Sequence, residues 1–198
     1  MPLQWMLSLP HTVERIDFIQ GAFMTHHAIL TALGTDRPGL VDEVSQFIFE
    51  HGGNIEDSRM VNLRGQFAIM LLLSGEEAAL GKIRNNLSRF AQSVQLHAEL
   101  APTDSNRPAG ELAMPYRLTA TAMDQSGLVH RIAHVLRNLN VNIESMETKL
   151  SAAPITGAPT FEMELLMSVP RTTAISKLRE QVGKLCDELN IDWNIAAM

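Results

Sequence analysis

Asp36 and Gly39 in LGTDRPGLV, and Asp124 and Gly127 in AMDQSGLV, share one spacing: an aspartate three residues ahead of Gly-Leu-Val. Each aspartate follows a strand-like apolar run, and each glycine opens an amphipathic helical stretch. At such a junction the Asp36 carboxylate is expected to accept from the backbone N–H of Gly39 and cap the helix. Pro38 then falls in the first turn, where a missing N–H costs nothing. Asp124, Ser126 and Gly127 repeat the arrangement without proline. Capping accounts for the aspartates but not for the glycines, which cost about 1 kcal/mol relative to alanine in a helical turn. A neighbouring backbone or a small ligand approaching closely would justify them. Free N–H groups at a helix start carry partial positive charge, so the ligand they suit is a small carboxylate or another anion.

The elements that position these turns are read from hydrophobic period. An offset of 88 residues lays Asp36, Gly39, Leu40 and Val41 on Asp124, Gly127, Leu128 and Val129, and Asn54-Ile55-Glu56 on Asn142-Ile143-Glu144. Beyond KLSAAPITGAPT the offset grows by six residues, and FAIMLLLS faces FEMELLMS. The chain is therefore a duplicated domain with a longer loop in its second copy. In the first copy HAILTAL reads as a buried strand. GLVDEVSQFIFEH puts Leu40, Val44, Phe47, Ile48 and His51 on one helical stripe. An extended run from Asn54 to Asn62, a turn at LRGQ, a strand from Phe67 to Leu73, a helix in GEEAALGKIRNNLSRF and a strand in VQLHAEL complete the order βαββαβ.

This order predicts an α+β, ferredoxin-like layer in each copy: four antiparallel strands with two helices on one face, the copies paired as a pseudo-dimer. The first and third strands are the most apolar and belong in the centre. NIEDSRMVN, polar on both faces, belongs at an edge. The expected organisation is an N-terminal extension over 1–23, a first domain over 24–101, a linker over 102–113 marked by Pro102 and Pro108, and a second domain over 114–198.

Asn54 and Asn142 each lie 18 residues after the aspartate of their own copy. The intervening helix of about 12 residues is roughly 18 Å long, and the next strand starts at its far end. The turn and the Asn of one copy therefore cannot meet. A pseudo-twofold axis pairing the edge strands would bring the Asp36 turn toward Asn142 and the Asp124 turn toward Asn54.

The remaining features exclude more than they add. The net charge is −6 over 198 residues, and neither copy is basic, which argues against a surface that grips nucleic-acid phosphates. RNA-recognition folds share the βαββαβ order but stack bases on strand aromatics; HAILTAL has none and FAIMLLL has one, Phe67. His130 and His134 have metal-compatible spacing with no third ligand nearby in sequence, so no metal is assigned; His26 and His27 are treated alike. Cys186 shares a helical stripe with Leu178, Val182, Leu185 and Leu189, and reads as a buried apolar residue. Met163 and Met167 read as core. No phosphate loop, nucleophile elbow or zinc-protease motif occurs, so neither catalysis nor a cofactor is expected. No apolar stretch nears the roughly 18 residues of a membrane span. The first basic residue is Arg15, unlike a secretory signal, and a cytoplasmic protein is expected.

DRPGLVDEVSQFIFEHGGNIEDS resembles the ACT-domain family of small-molecule-binding regulatory modules in its turn, first helix and Asn-led second strand. LTALGTDRPGLV, GNIEDSR, FAIMLLLSG and LCDELN extend the likeness over most of the chain after Met24. The resemblance implies a tandem ACT regulator that senses glycine or a similar small amino acid and restrains a separate DNA-binding transcription activator by protein contact. Carried over, the ligand positions are Asp36, Arg37, Pro38, Gly39 and Leu40 with Asn142, and Asp124, Ser126, Gly127 and Leu128 with Asn54. A tandem interaction module without ligand, a regulatory subunit of a metabolic enzyme, and a homo-oligomer stay open.

Overall fold

The computed structural model describes residues 25–103, 113–152 and 157–198. The expected N-terminal extension and most of the expected linker lie outside the described residues. The chain divides into two compact units. The first runs β1 (His26–Thr35), α1 (Leu40–Glu50), β2 (Asn54–Leu63), β3 (Gln66–Gly75), α2 (Glu77–Ser93) and β4 (Leu96–Thr103). The second runs β5 (Ala113–Met123), α3 (Leu128–Asn138), β6 (Asn142–Ala152), β7 (Pro159–Pro170), α4 (Ile175–Leu189) and β8 (Asp192–Ala197). Each forms one antiparallel sheet, in the orders β2-β3-β1-β4 and β6-β7-β5-β8. The apolar first and third strands are central and the polar second strand is at an edge, as their patterning requires.

Alternation along β1 and β3 sends one set of side chains toward the helices. Ala28, Leu30, Ala32, Phe67, Ile69, Leu71 and Leu73 are buried there, beside the α1 stripe of Leu40, Val44, Phe47 and Ile48. Phe47 of α1 stacks on Phe90 of α2, ring centroids 4.2 Å apart. His51 falls just past α1, its Nδ1 2.7 Å from the Phe47 carbonyl. The second unit repeats the plan with its own core, in which Leu118, Leu136, Leu165, Met163, Met167 and Cys186 are buried. Phe67, the one aromatic of the central strands in the first copy, is 2% exposed on the helix side, where it cannot stack on a base.

Local backbone fixes the joints. Arg64 and Gly65 both have positive φ (50° and 81°), the geometry of a tight two-residue hairpin between β2 and β3. A bulge falls between Ile55 and Asp57 in β2, and another between Ile143 and Ser145 in β6. Gly34 serves close approach: a Cβ there would lie 2.7 Å from the Gln95 carbonyl oxygen and 2.6 Å from Leu96 Cδ2.

Because Leu30 is 1% exposed in the centre of the first sheet, Leu30→Ala removes transfer energy and leaves a cavity. It is expected to destabilise the first unit by about 2–5 kcal/mol. Chemical denaturation followed by amide exchange should show the loss centred on β1 and β3.

Candidate functional site

The repeated turn leaves β1 and β5 in the same way. Asp36 N–H donates to the Gly65 carbonyl (2.8 Å) and Asp124 N–H to the Pro159 carbonyl (3.0 Å), so each turn is tied to the neighbouring β2–β3 or β6–β7 connection. Helix hydrogen bonding begins from the Gly39 carbonyl, which accepts from Glu43 N–H at 2.9 Å, and from the Gly127 carbonyl, which accepts from Arg131 N–H at 3.0 Å.

Two expectations about this turn are corrected. Asp36 does not cap α1: the N-cap is Gly39, with no side-chain cap. The Asp36 carboxylate instead accepts from Asn62 Nδ2 at 2.5 Å, while Asn62 Oδ1 accepts from Gly65 N–H at 3.1 Å. Asp36 is a clasp onto the hairpin, and Pro38 lies before the helix. Gly39 and Gly127 also owe nothing to a close neighbour. Their φ values are +93° and +89°, in the left-handed region where any side chain is strained. A Cβ at Gly127 would meet nothing within 4 Å, and at Gly39 only Glu43 Oε1 at 3.4 Å and Arg37 Nη1 at 4.0 Å.

That conformation separates α1 and α3 from α2 and α4, whose N-caps Glu76 and Ala174 are extended. All four helices start without a side-chain cap. At α1 and α3 no side chain caps the amides of the first turn; at Gly127 the glycine faces open space, whereas at Gly39 Glu43 Oε1 and Arg37 Nη1 stand within 4.0 Å of the Cβ position. Leu40 and Leu128 are 1% and 3% exposed; their side chains belong to the cores, and only their backbone can face a ligand.

The two turns differ electrostatically. Arg37 binds Glu43 in two bonds of 2.6 and 2.7 Å. Hydrogen bonding within this pair holds the Glu43 carboxyl below, and the Arg37 guanidinium above, their ordinary pKa ranges. Gln125 and Arg131 stand at the matching positions of the second copy, and Gln125 Nε2 donates to the Leu189 carbonyl at 3.3 Å. The first turn of α1 carries Asp42 and Glu43, whereas that of α3 carries no acid. The dipole of α1 is already met by its own carboxylates; that of α3 is not.

Asn54 and Asn142 lie at the other end of the sheets. Asn54 pairs in register with Ser74, which pairs with His27 at the start of β1. Eight strand residues, about 26 Å, separate that row from Thr35 beside the turn. Asn54 Nδ2 donates to Ser74 Oγ at 3.5 Å, and His27 Nε2 lies 3.4 Å from Glu56 Oε2. Asn142 Nδ2 donates to Glu144 Oε1 at 2.7 Å. Within each unit the structure thus brings the turn residues together and keeps the Asn away from them.

Elsewhere, a hollow of about 800 Å³ between α2 and β4, lined by Arg84, Leu87, Gln95, His97 and Glu99 among others, includes none of the turn residues. His130 and His134 have ring centroids 6.1 Å apart. Among the described residues no three His, Cys, Asp or Glu side chains form a metal-binding group, and no helix is long and apolar enough to cross a membrane.

This fold, with its turn and Asn-led edge strand, is that of the ACT-domain family, whose pattern matches residues 26–101, the first unit. More particularly, the chain is 26% identical over 170 residues to the glycine cleavage system transcriptional repressor of Escherichia coli, covering 86% of this chain and 89% of that protein. It is 38% identical over 69 residues to a UPF0237 protein of Methanopyrus kandleri, covering 34% of this chain and 77% of that one. A solved structure from Galdieria sulphuraria, 22% identical, shares the fold over 88% of this chain and 99% of its own, with a TM-score of 0.73.

Cys186 is buried, and burial, reinforced by Asp187, pushes its thiol up to about 11 from 9.0. The folded state holds this proton more tightly than the unfolded chain, so the stability it contributes is present below pH 9 and declines as pH rises from 9 toward 11. Thiol titration at pH 8 should find Cys186 unreactive in the folded protein and reactive in denaturant.

Proposed function

We propose that this chain is an amino-acid-responsive regulator that binds glycine or a similar small amino acid and acts by protein contact on a DNA-binding activator of transcription in the cytoplasm, without catalysing a reaction. The observation that carries the ligand reading is the pair of left-handed glycine N-caps, Gly39 and Gly127, at helix starts that no side chain closes. The α-carboxylate of an amino acid suits such a start. The family supports a regulatory module, and the similarity to the glycine cleavage system transcriptional repressor supports the amino acid and the kind of partner. The net charge of −6 fits action through protein contact better than direct binding to DNA.

In this reading the clamps are assembled from Asp36, Arg37, Pro38, Gly39 and Leu40 with Asn142, and from Asp124, Ser126, Gly127 and Leu128 with Asn54. Separation of turn and Asn within one unit supports drawing the two halves from different copies of the domain. The second clamp holds an anion more strongly, because Arg131 replaces Glu43 in its first helical turn.

Calorimetric titration with glycine, serine and alanine is expected to give saturable binding. Valine at a φ near +90° displaces the turn, so Gly127→Val should weaken binding at least tenfold, about 1.4 kcal/mol, and more than Gly39→Val. Absence of binding at millimolar amino acid with the fold intact would refute the sensor and leave a ligand-free interaction module. Affinity capture with the full chain should retain a transcription activator; retention of a metabolic enzyme instead would make the chain that enzyme's regulatory subunit.

A further inference from the structure

Partners in register on adjacent strands point to the same side of a sheet, so the pairings define each sheet's open face row by row. In the first unit one row is Val61, Ala68, Leu33 and His97, the next Arg59, Met70, Thr31 and Glu99, and the third Asp57, Leu72, Ile29 and Ala101. Leu33 and Met70 are each 51% exposed, and Val61 is 44% exposed. The middle of this face is apolar, with charges toward both edge strands.

The second unit supplies an internal control, because the same fold occupies the same positions. Its matching rows are Lys149, Glu162, Thr121 and Asp192; Glu147, Glu164, Thr119 and Asn194; and Ser145, Leu166, Arg117 and Ala196. Glu164 pairs with Arg117 at 3.2 Å, and Ser151 Oγ donates to Glu162 at 2.7 Å. On the helix side the copies stay alike: Leu30 matches Leu118, Ala32 matches Ala120, Phe67 matches Phe161 and Leu71 matches Leu165, all buried. The copies differ where the sheet faces outward. Ile29, Leu33, Ala68 and Met70 stand where the second copy has Arg117, Thr121, Glu162 and Glu164.

From this we infer that the open face of the first sheet is a homodimer interface, covered by the same face of a second copy of this chain. Two observations select that occupant. The four strands, at about 4.8 Å spacing and some eight residues of about 3.3 Å, present roughly 500 Å² in projection. Its accessible area is larger, on the scale of the roughly 800 Å² per partner that a stable dimer buries. The charges are also self-complementary: Arg59 and Glu99 end the middle row on opposite edge strands. A twofold axis parallel to the strands sets Arg59 of one copy over Glu99 of the other, with Met70 and Thr31 between them.

The test is the solution mass of the full chain by sedimentation or light scattering. Wild type is expected at twice 21.9 kDa. The variant Leu33→Thr, Ala68→Glu, Met70→Glu carries what the second unit bears at the same positions, so it should keep its circular dichroism and melting while falling to the single mass. Arg59→Glu should weaken the dimer, and adding Glu99→Arg should restore it. A monomeric wild type, or a triple variant that still dimerises, would overturn the inference. Dimerisation that appears only after deletion of residues 1–24 would overturn it too, giving the face to that segment. Failure of the charge swap to rescue would overturn the strand-parallel axis.

Discussion

A left-handed backbone at one residue, Gly39 in the first unit and Gly127 in the second, sets the geometry on which the site depends. An ordinary N-cap is extended and offers its own side chain to the first turn of the helix; here the cap has no side chain and a φ near +90°. The chain therefore turns from strand to helix without closing the helix start. Asp36, three residues ahead of that cap, is held by Asn62 on the hairpin. An uncapped helix start, with vacant space beside it at Gly127, is the feature a small carboxylate can exploit.

Strand length supplies the second constraint. The row of Asn54, Ser74 and His27 and the turn after Thr35 lie at opposite ends of one sheet, and no side-chain motion spans about 26 Å. Within one unit, therefore, a turn and an Asn do not share a ligand. The copies then diverged in charge. The first pairs Arg37 with Glu43, while the second puts Arg131 where Glu43 would be, so the two helix starts differ in charge.

Much of the fold was legible because period is a local signal. The stripe of Leu40, Val44, Phe47 and Ile48, the apolar runs of β1 and β3, and the polarity of β2 each announce one element and the side it buries. Stretches that depend on register were not legible. Asn62 reaches Asp36 because the hairpin turns at Arg64 and Gly65, and its counterpart by offset is Leu150, so the repeat gives no hint of it. The glycines of the turn are readable as unusual, but composition cannot distinguish a residue chosen for a positive φ from one chosen for close approach. The apolar open face is likewise a property of paired rows, visible only when β1, β2, β3 and β4 are laid side by side.

Residue-resolved amide shifts of the full chain during titration with glycine test the central claim most directly, because they report which backbone N–H groups the carboxylate meets. Saturable shifts concentrated at residues 39–42 and 127–130, larger at the second turn, are the predicted result. Shifts confined to other segments, such as the hollow between α2 and β4, would contradict the assignment of the left-handed glycine turns as the ligand clamps.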